Sequence, residues 1–222
     1  MSLKIRFVSD YVCPYCLVAK VPLLEAAQGK DVEIEWLPFE LTREPQPRVD
    51  TYHDDVRREK WAKSLIPAAK ALGLEMKVPP KVIPRPYTRL AFEGWHFAVE
   101  HGLGDAYNDR MYEAYFMEEQ DIGDLDVLCQ IAGELGLDRA AFREALENGT
   151  YAAKQARCAD YARDELKIKA VPTIFIGDTR VEGGVYTKEG FEKLIGEALL
   201  ENTGRELTGM SCDIHGNCGP MP

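Results

Sequence analysis

The chain has 222 residues, of which 45% are hydrophobic and 29% charged, as is usual for a globular protein. Its formal net charge of −10 argues against nucleic acids and anionic membranes as partners. No apolar run approaches the roughly 20 residues that a membrane-spanning helix needs. Met1 leads into a strand-like pattern with no apolar signal sequence. We therefore expect a cytoplasmic protein without membrane or nucleic-acid partners; the sequence leaves its oligomeric state open.

The N-terminal region has the pattern of a strand, a helix and a second strand. Leu3, Ile5 and Phe7 occupy alternate positions, as in a half-buried strand. An apolar-rich helical stretch follows over residues 14–29, and residues 32–39 again favour a strand. This βαβ order predicts an α/β fold with a right-handed crossover.

The central region changes to a helical pattern. Residues 40–50 contain two prolines and predict a linker, whereas residues 51–165 repeat apolar side chains at three- and four-residue steps. Asp124 and Asp138 each precede a helical stretch and are predicted to cap it. The four prolines within residues 78–86 predict a loop.

Strand-like sequence returns near the C-terminus. Residues 173–176 and 180–182 flank a Gly-Asp turn and predict an antiparallel hairpin. Thr187 is predicted to cap a last helix that reaches about Leu199. The predicted organisation is one discontinuous α/β domain (1–45 and 166–202), a helical insertion (46–165) and a C-terminal tail (203–222).

The strongest chemical motif is Cys13-Pro14-Tyr15-Cys16, which lies between the first strand and the first helix. Pro14 suits the first helical position, and the helix N-terminus beside Cys13 favours a thiolate. Cys13 is therefore the expected nucleophile. Cys16, one turn further along, is expected to close a disulfide with it and release the substrate. The alternative is a structural zinc site, which normally needs a second cysteine pair.

The motif resembles the active site of the thioredoxin superfamily, and Ala170-Val171-Pro172-Thr173 resembles that superfamily's cis-proline loop. The long helical insertion between the two resembles the DsbA-type branch. Three further segments resemble the FrnE-like subgroup of that branch: Phe7 to Tyr11; Tyr112 to Phe116 with Asp121-Ile122; and Val127-Leu128 followed by Gly136 to Asp138.

This resemblance implies a thioredoxin-like fold with a large helical insertion and a thiol–disulfide oxidoreductase or isomerase acting on protein or small-molecule thiols and disulfides. It implies catalytic roles for Cys13, Cys16 and a cis Pro172, with Val171 pairing with an extended substrate. Pro14 and Tyr15 complete the expected substrate contacts. Oxidising DsbA proteins carry Pro-His between their cysteines, so Pro-Tyr predicts a less oxidising couple. The resemblance implies no bound cofactor or metal, and recycling by glutathione or a thioredoxin-type reductant.

Four further cysteines lie outside this motif. Cys212 and Cys218 form an expected second redox pair that exchanges with the first; a static disulfide, a zinc site with His215 and an inert tail are the alternatives. Cys129 and Cys158 are interpreted as structural residues. His53, His96 and His101 show no metal-binding spacing, and Asp10 and Tyr11 either shape the site or, for Asp10, cap the surface.

Two other functions compete with disulfide exchange. One is a glutathione-dependent isomerase similar to 2-hydroxychromene-2-carboxylate isomerase, whose relatives generally carry serine where this chain has Cys13. The other is a non-catalytic module that binds a metal or a partner through its cysteines.

Overall fold

The computed structural model describes residues 2–181, 186–208, 210–212 and 218–220, with side chains for residues 2–181 and 186–202. None of the helices within these ranges is long and apolar enough to cross a membrane. The elements are, in chain order, β1 (Leu3–Ser9), α1 (Pro14–Ala27), β2 (Val32–Pro38), α2 (Asp55–Ala71), α3 (Arg89–Glu100), α4 (Gly104–Phe116), α5 (Leu125–Glu134), α6 (Arg139–Glu147), α7 (Ala152–Asp160), a π-helical turn (Tyr161–Glu165), β3 (Thr173–Ile176), β4 (Thr179–Arg180), α8 (Lys188–Thr208), β5 (Met210–Cys212) and β6 (Cys218–Pro220).

Four strands form one sheet in the order β2-β1-β3-β4. The first two run parallel, because Leu3 N donates to Asp31 O at one end and Phe39 N donates to Ser9 O at the other. Strands β3 and β4 pair antiparallel. The predicted βαβ unit and C-terminal hairpin are therefore confirmed.

The chain separates into two compact units. One comprises Met1–Phe7, Val21–Glu35 and Ile174–Pro222, and the other comprises Val8–Lys20 and Trp36–Thr173. The first holds most of the sheet together with α8, and the second holds helices α2 to α7. The predicted boundaries at residues 45 and 165 stay a prediction.

Side-chain capping fixes where the helices of the second unit begin. The Asp124 carboxylate accepts from the N–H groups of Asp126 and Val127 at the start of α5. Asp138 does the same for the first turn of α6. Both predicted caps are confirmed, and each satisfies backbone donors that a helix end leaves without partners.

The C-terminal helix is longer than the sequence predicts. It begins after Thr187, whose hydroxyl accepts from Gly190 N as expected, but it continues to Thr208. The predicted end of this helix near Leu199 is therefore wrong, and the boundary of a C-terminal tail at residue 203 stays a prediction. The Glu, Arg, Leu and Thr residues of the added stretch lack an apolar repeat, yet Glu, Arg and Leu favour helix by intrinsic propensity.

The packing of α3 makes a prediction about stability. A Cβ at Gly94 would lie 2.6 Å from Phe142 Cζ on α6 and would overlap the Tyr107 hydroxyl on α4. We expect Gly94→Ala to lower the free energy of unfolding by about 1–3 kcal/mol, because the close-packed core must shift to admit a methyl group. Urea denaturation measures this change.

Gly196→Ala is the matched control, since it places the same methyl group on α8 with no atom within 4 Å. It should raise stability by up to about 1 kcal/mol through helix propensity. Equal effects of the two substitutions would contradict the packing argument.

Candidate active site

Cys13 lies immediately before the first residue of α1, as its sequence position predicts. Its backbone N–H donates to Asp10 O at 3.0 Å, and its carbonyl accepts from Cys16 N at 3.0 Å. These two bonds turn the chain from β1 into the helix. Cys13 retains 5% exposure, whereas Cys16 is fully buried. Both residues are therefore buried, and of the two only Cys13 lines the cleft described below.

Cys16 is held as a thiol by its surroundings. Complete burial raises its pKa well above the ordinary value, and the hydrogen bond with Cys13 raises it further. The two cysteines lie close together but are not bonded to each other. A buried thiol beside an accessible sulfur is the arrangement that the predicted order of attack requires.

The Val171–Pro172 peptide bond is cis, which confirms the expectation from the resemblance. The Cys13 thiol donates to Val171 O over 3.4 Å. The loop containing Pro172 therefore lies directly against the expected nucleophile. Within the loop, the Thr173 hydroxyl donates to Ala170 O at 2.8 Å.

Asp10 is fully buried beneath the cysteine pair, so the prediction of a surface cap is wrong. Its carboxylate accepts from Leu41 N at 2.7 Å and more weakly from Val12 N at 3.4 Å. Burial raises the pKa of Asp10 to about 6, although the Leu41 hydrogen bond and the charge of Arg85 oppose that shift. Asp10 and Cys16 are close enough that the carboxylate charge contributes to the raised pKa of the thiol.

Aromatic side chains fix the backbone around Asp10. Tyr11 stacks on Phe92 with ring centroids 4.5 Å apart, and its hydroxyl donates to Asn108 Oδ1 at 2.5 Å. The Tyr112 ring packs edge-on against Tyr11, with centroids 5.5 Å apart. All three aromatic rings are buried. The predicted proximity of Tyr11 to the site is confirmed, and its role is to pack.

A cleft of about 590 Å³ opens beside Cys13. The CPYC segment contributes Cys13, Pro14 and Tyr15 to its wall, and α2 contributes side chains from its first two turns. Val12 and the α2 N-cap Asp54 also line it, and the remaining residues come from the predicted linker and the proline-rich loop: Leu41, Thr42, Gln46, Pro47, Val49 and Arg85. Sequence reasoning treated both segments as connections, because residues that line a cleft without periodicity give no local signal.

Tyr15 connects the motif to the helical region. Its hydroxyl lies 3.2 Å from Ser64 Oγ on α2. Pro14 is buried and Tyr15 is half-buried, and both line the cleft; their role as substrate contacts stays a prediction.

Among the described side chains, the other histidines and cysteines that the sequence analysis considered do not line the cleft. His96 is buried, 3.2 Å from Gln155 Oε1, and burial lowers its pKa to about 4. His53 pairs with Asp50 on the surface. Cys129 is buried, as predicted, and Cys158 is half-buried. Within the described residues, no three His, Cys, Asp or Glu side chains are placed to hold a metal ion.

The second cysteine pair lies at the C-terminus. Cys212 and Cys218 face each other as register partners of the antiparallel strands β5 and β6. Their side chains and His215 lie outside the described residues. The segment before this pair is helical over residues 201–208 and rises only about 1.5 Å per residue, so it spans less distance than an extended chain of the same length.

Comparison with known proteins places this geometry in context. The family described as DSBA-like thioredoxin domain matches residues 4–195. The chain is 47% identical over 197 residues to YwbO of Bacillus subtilis (strain 168), an uncharacterized protein; the match covers 89% of this chain and 98% of YwbO.

Three solved structures share the fold at low sequence identity. The probable DsbA oxidoreductase SCO1869 of Streptomyces coelicolor has a TM-score of 0.76 and 23% identity, covering 99% of this chain and 100% of that one. A 2-hydroxychromene-2-carboxylate isomerase has a TM-score of 0.69 and 20% identity, and the match covers 92% of this chain and 98% of that one. The cytosolic disulfide reductase DsbM of Pseudomonas aeruginosa, solved with GSH, has a TM-score of 0.66 and 18% identity. That match covers 91% of this chain and 100% of DsbM. The predicted thioredoxin-like fold with a large helical insertion is confirmed.

The burial of Asp10 predicts how stability depends on pH. Its pKa, about 6 in the folded state against an ordinary 3.8, corresponds to about 3 kcal/mol for holding the charge. Above about pH 6 the folded state carries this full cost, and the cost falls as the pH falls toward 3.8. Asp10→Asn removes the charge but loses one acceptor, which costs about 1 kcal/mol. We expect the variant to exceed wild type in unfolding free energy by about 1–2 kcal/mol near pH 8, with little difference near pH 4.5.

Urea denaturation at both pH values tests this expectation. Asp124→Asn is the matched control, since that residue is an exposed N-cap and asparagine caps as well as aspartate. An Asp10→Asn effect of the same size at both pH values would rule out the buried charge as its cause.

Proposed function

We propose that this chain, which belongs to the DSBA-like thioredoxin domain family, exchanges disulfides with thiol and disulfide substrates through Cys13 and Cys16. One observation carries the proposal. Cys13 lines the cleft at the N-terminus of α1 and its sulfur contacts Val171 O, while Cys16 is fully buried behind it as a thiol. A cysteine at the wall of a cleft, backed by a second thiol, is the minimum that two-step exchange needs.

In the first step the Cys13 thiolate attacks one sulfur of the substrate disulfide. A Cys13–substrate disulfide forms, the substrate S–S bond breaks, and the other substrate sulfur leaves as a thiolate. Cys13 is placed for this attack at the N-terminus of α1 and at the wall of the cleft.

In the second step Cys16 attacks Cys13 and releases the bound substrate sulfur. The Cys16 thiol must first lose its proton, which its burial opposes. Asp10 is the buried base that accepts this proton, because it is ionised at neutral pH with a pKa of about 6 and lies beside Cys16. The proton then passes to the departing thiolate. The cysteine pair loses two electrons, the substrate disulfide gains them, and the reverse sequence oxidises a dithiol.

The cis-proline loop provides the substrate platform. We assign pairing with an extended substrate segment to the Val171 backbone, and contacts along the cleft to Pro14 and Tyr15. Val171 O already accepts from Cys13, so a substrate held there is next to the reacting sulfur. This role and the catalytic role of Pro172 follow the superfamily pattern.

Further details of the proposal rest on the resemblance. The segments that resemble the FrnE-like subgroup support placement there, and Tyr15 in place of histidine supports a couple less oxidising than that of DsbA. Recycling by glutathione or a thioredoxin-type reductant in the cytoplasm is consistent with this subgroup and with a less oxidising cysteine pair. The isomerase alternative shares the fold, but its relatives generally carry serine at the position of Cys13.

Substitution of the two cysteines tests the mechanism. Cys13→Ser should abolish insulin reduction, because no other described sulfur borders the cleft. Cys16→Ser should leave Cys13 able to attack but unable to release, so a Cys13–substrate mixed disulfide accumulates and is detected by non-reducing mass spectrometry. Cys129→Ser is the control for loss of a buried thiol and should retain activity. Insulin reduction by Cys13→Ser at the wild-type rate would exclude Cys13 as the nucleophile.

We also propose that Cys212 and Cys218 form a disulfide that exchanges with Cys13 and Cys16. Residues directly opposite in antiparallel strands have Cα atoms about 4.5 or 5.5 Å apart, within the range of about 4.4–6.8 Å that disulfides adopt. We expect the double Cys212→Ser, Cys218→Ser variant to slow the approach of Cys13 to redox equilibrium after reduction, as measured by quenched alkylation. Unchanged kinetics would reduce the second pair to a static or inert feature.

A further inference from the structure

The cleft beside Cys13 carries charge opposite to that of the whole protein. Three cations line it, Arg57, Lys60 and Arg85, against a single carboxylate, Asp54. The chain as a whole has a formal net charge of −10. A local excess of positive charge in an acidic protein attracts anions to one place and leaves the rest of the surface repulsive to them.

The three cations differ in whether another side chain of the protein already pairs with them. Arg57 Nε donates to Asp54 Oδ2 at 3.1 Å, and its guanidinium lies over the Trp61 ring. Lys60 is exposed and has no ion-pair partner within the described residues. Lys60 is therefore a cation at the cleft that has no counter-charge.

Arg85 is the unusual member of the set. It is only 7% exposed, and its Nη2 donates to Thr42 Oγ1, another residue of the cleft wall, at 2.8 Å. Its Nε is buried and has no hydrogen-bond partner among the described residues. A guanidinium held at a cleft wall with a donor unused is costly unless an acceptor binds there, because buried polar groups are normally paired.

The size and walls of the cleft limit what the acceptor belongs to. A volume of about 590 Å³ lies within the range of about 300–1,000 Å³ typical of small-molecule sites. Trp61 provides a buried apolar wall, and Val56 remains 81% exposed at the rim. A compact molecule with an apolar body and carboxylates fits these walls and charges.

We propose that the cleft binds a low-molecular-weight disulfide bearing carboxylates, with Arg85 and Lys60 as the residues that determine specificity for its charge. The inference rests on the proposed function, because the bound disulfide is the substrate that Cys13 attacks. The reduced cysteine pair gives two electrons to the small disulfide, which leaves as two thiols after taking up the two cysteine protons. Cys13 and Cys16 are left joined by a disulfide.

The test compares three small disulfides of similar size and different charge on the reduced full-length chain: 3,3′-dithiodipropionate (anionic), bis(2-hydroxyethyl) disulfide (neutral) and cystamine (cationic). Oxidation of Cys13 and Cys16 is followed by acid quenching, alkylation and mass spectrometry. Each rate is divided by that of the same disulfide with a free small thiol, which removes differences in intrinsic reactivity. We expect the anionic compound to react about tenfold faster than the neutral one at low ionic strength, with cystamine slowest. Added salt should narrow the differences.

Substitutions assign the preference to the cleft. Lys60→Glu should bring the anionic-to-neutral ratio toward one, whereas Lys70→Glu makes the same charge change on an exposed part of α2 outside the cleft and should keep it. Arg85→Gln should also reduce the ratio, and Arg85→Lys should restore part of it because the charge returns without the planar fork.

The outcomes separate this inference from the function it rests on. Equal rates for the three disulfides, or equal ratios in Lys60→Glu and Lys70→Glu, would overturn the charge specificity while leaving disulfide exchange intact. Failure of all three disulfides to oxidise a cysteine pair that still reduces insulin would overturn this inference alone, whereas loss of insulin reduction as well would overturn both.

Discussion

Two ionisable groups share the buried space beneath the Cys13 sulfur: the Cys16 thiol and the Asp10 carboxyl. Both have a raised pKa, chiefly because burial penalises their charged forms. Each negative charge also repels the other, so ionising both at once is more costly than ionising either alone. This arrangement suits the transfer of a single proton between the two groups. A resolving cysteine needs that transfer once per cycle, when its buried thiol must become a nucleophile.

Asp10 also has a structural role, because its Oδ2 accepts a hydrogen bond from Leu41 N at 2.7 Å. This bond joins the end of β1 to the start of the segment that follows β2. That segment forms part of the cleft wall. The carboxyl to which we assign the proton therefore also fixes one wall of the cleft beside Cys13. A substitution at Asp10 changes the chemistry and the shape of the cleft together, which is why the unfolding measurement that isolates its charge is informative.

The sequence predicts those parts of the site whose signal is local. Cys13 and Cys16 are identified by spacing and by the strand–helix junction, and Pro172 by its neighbours and the strand that follows. Asp124 and Asp138 are predicted as caps because a cap depends only on the next few residues. Helix and strand order follow from apolar periodicity, as the confirmed βαβ unit and hairpin illustrate.

Asp10 and Arg85 could not be predicted in the same way, because their roles depend on contacts distant in the chain. Asp10 is followed by a turn and is polar, features that favour the surface; only its partner Leu41, 31 residues later, shows that it is enclosed. Arg85 lies in a loop that its prolines identify correctly, but nothing in the loop shows that a guanidinium is buried there. Charged residues are rarely buried without partners, so local reasoning assigns both to solvent.

Arg85 connects the two halves of the site electrostatically. Its charge stabilises the ionised form of Asp10, and its side chain also lines the cleft. An anion bound in the cleft competes with Asp10 for the same guanidinium, so it weakens the stabilisation of the carboxylate and makes Asp10 a stronger base for the Cys16 proton. By linkage, a protonated Asp10 leaves Arg85 more available to the anion, and the coupling is equal in both directions. The proposed charge preference of the cleft and the proposed proton transfer are thus coupled, because the buried Arg85 guanidinium both lines the cleft and interacts with Asp10.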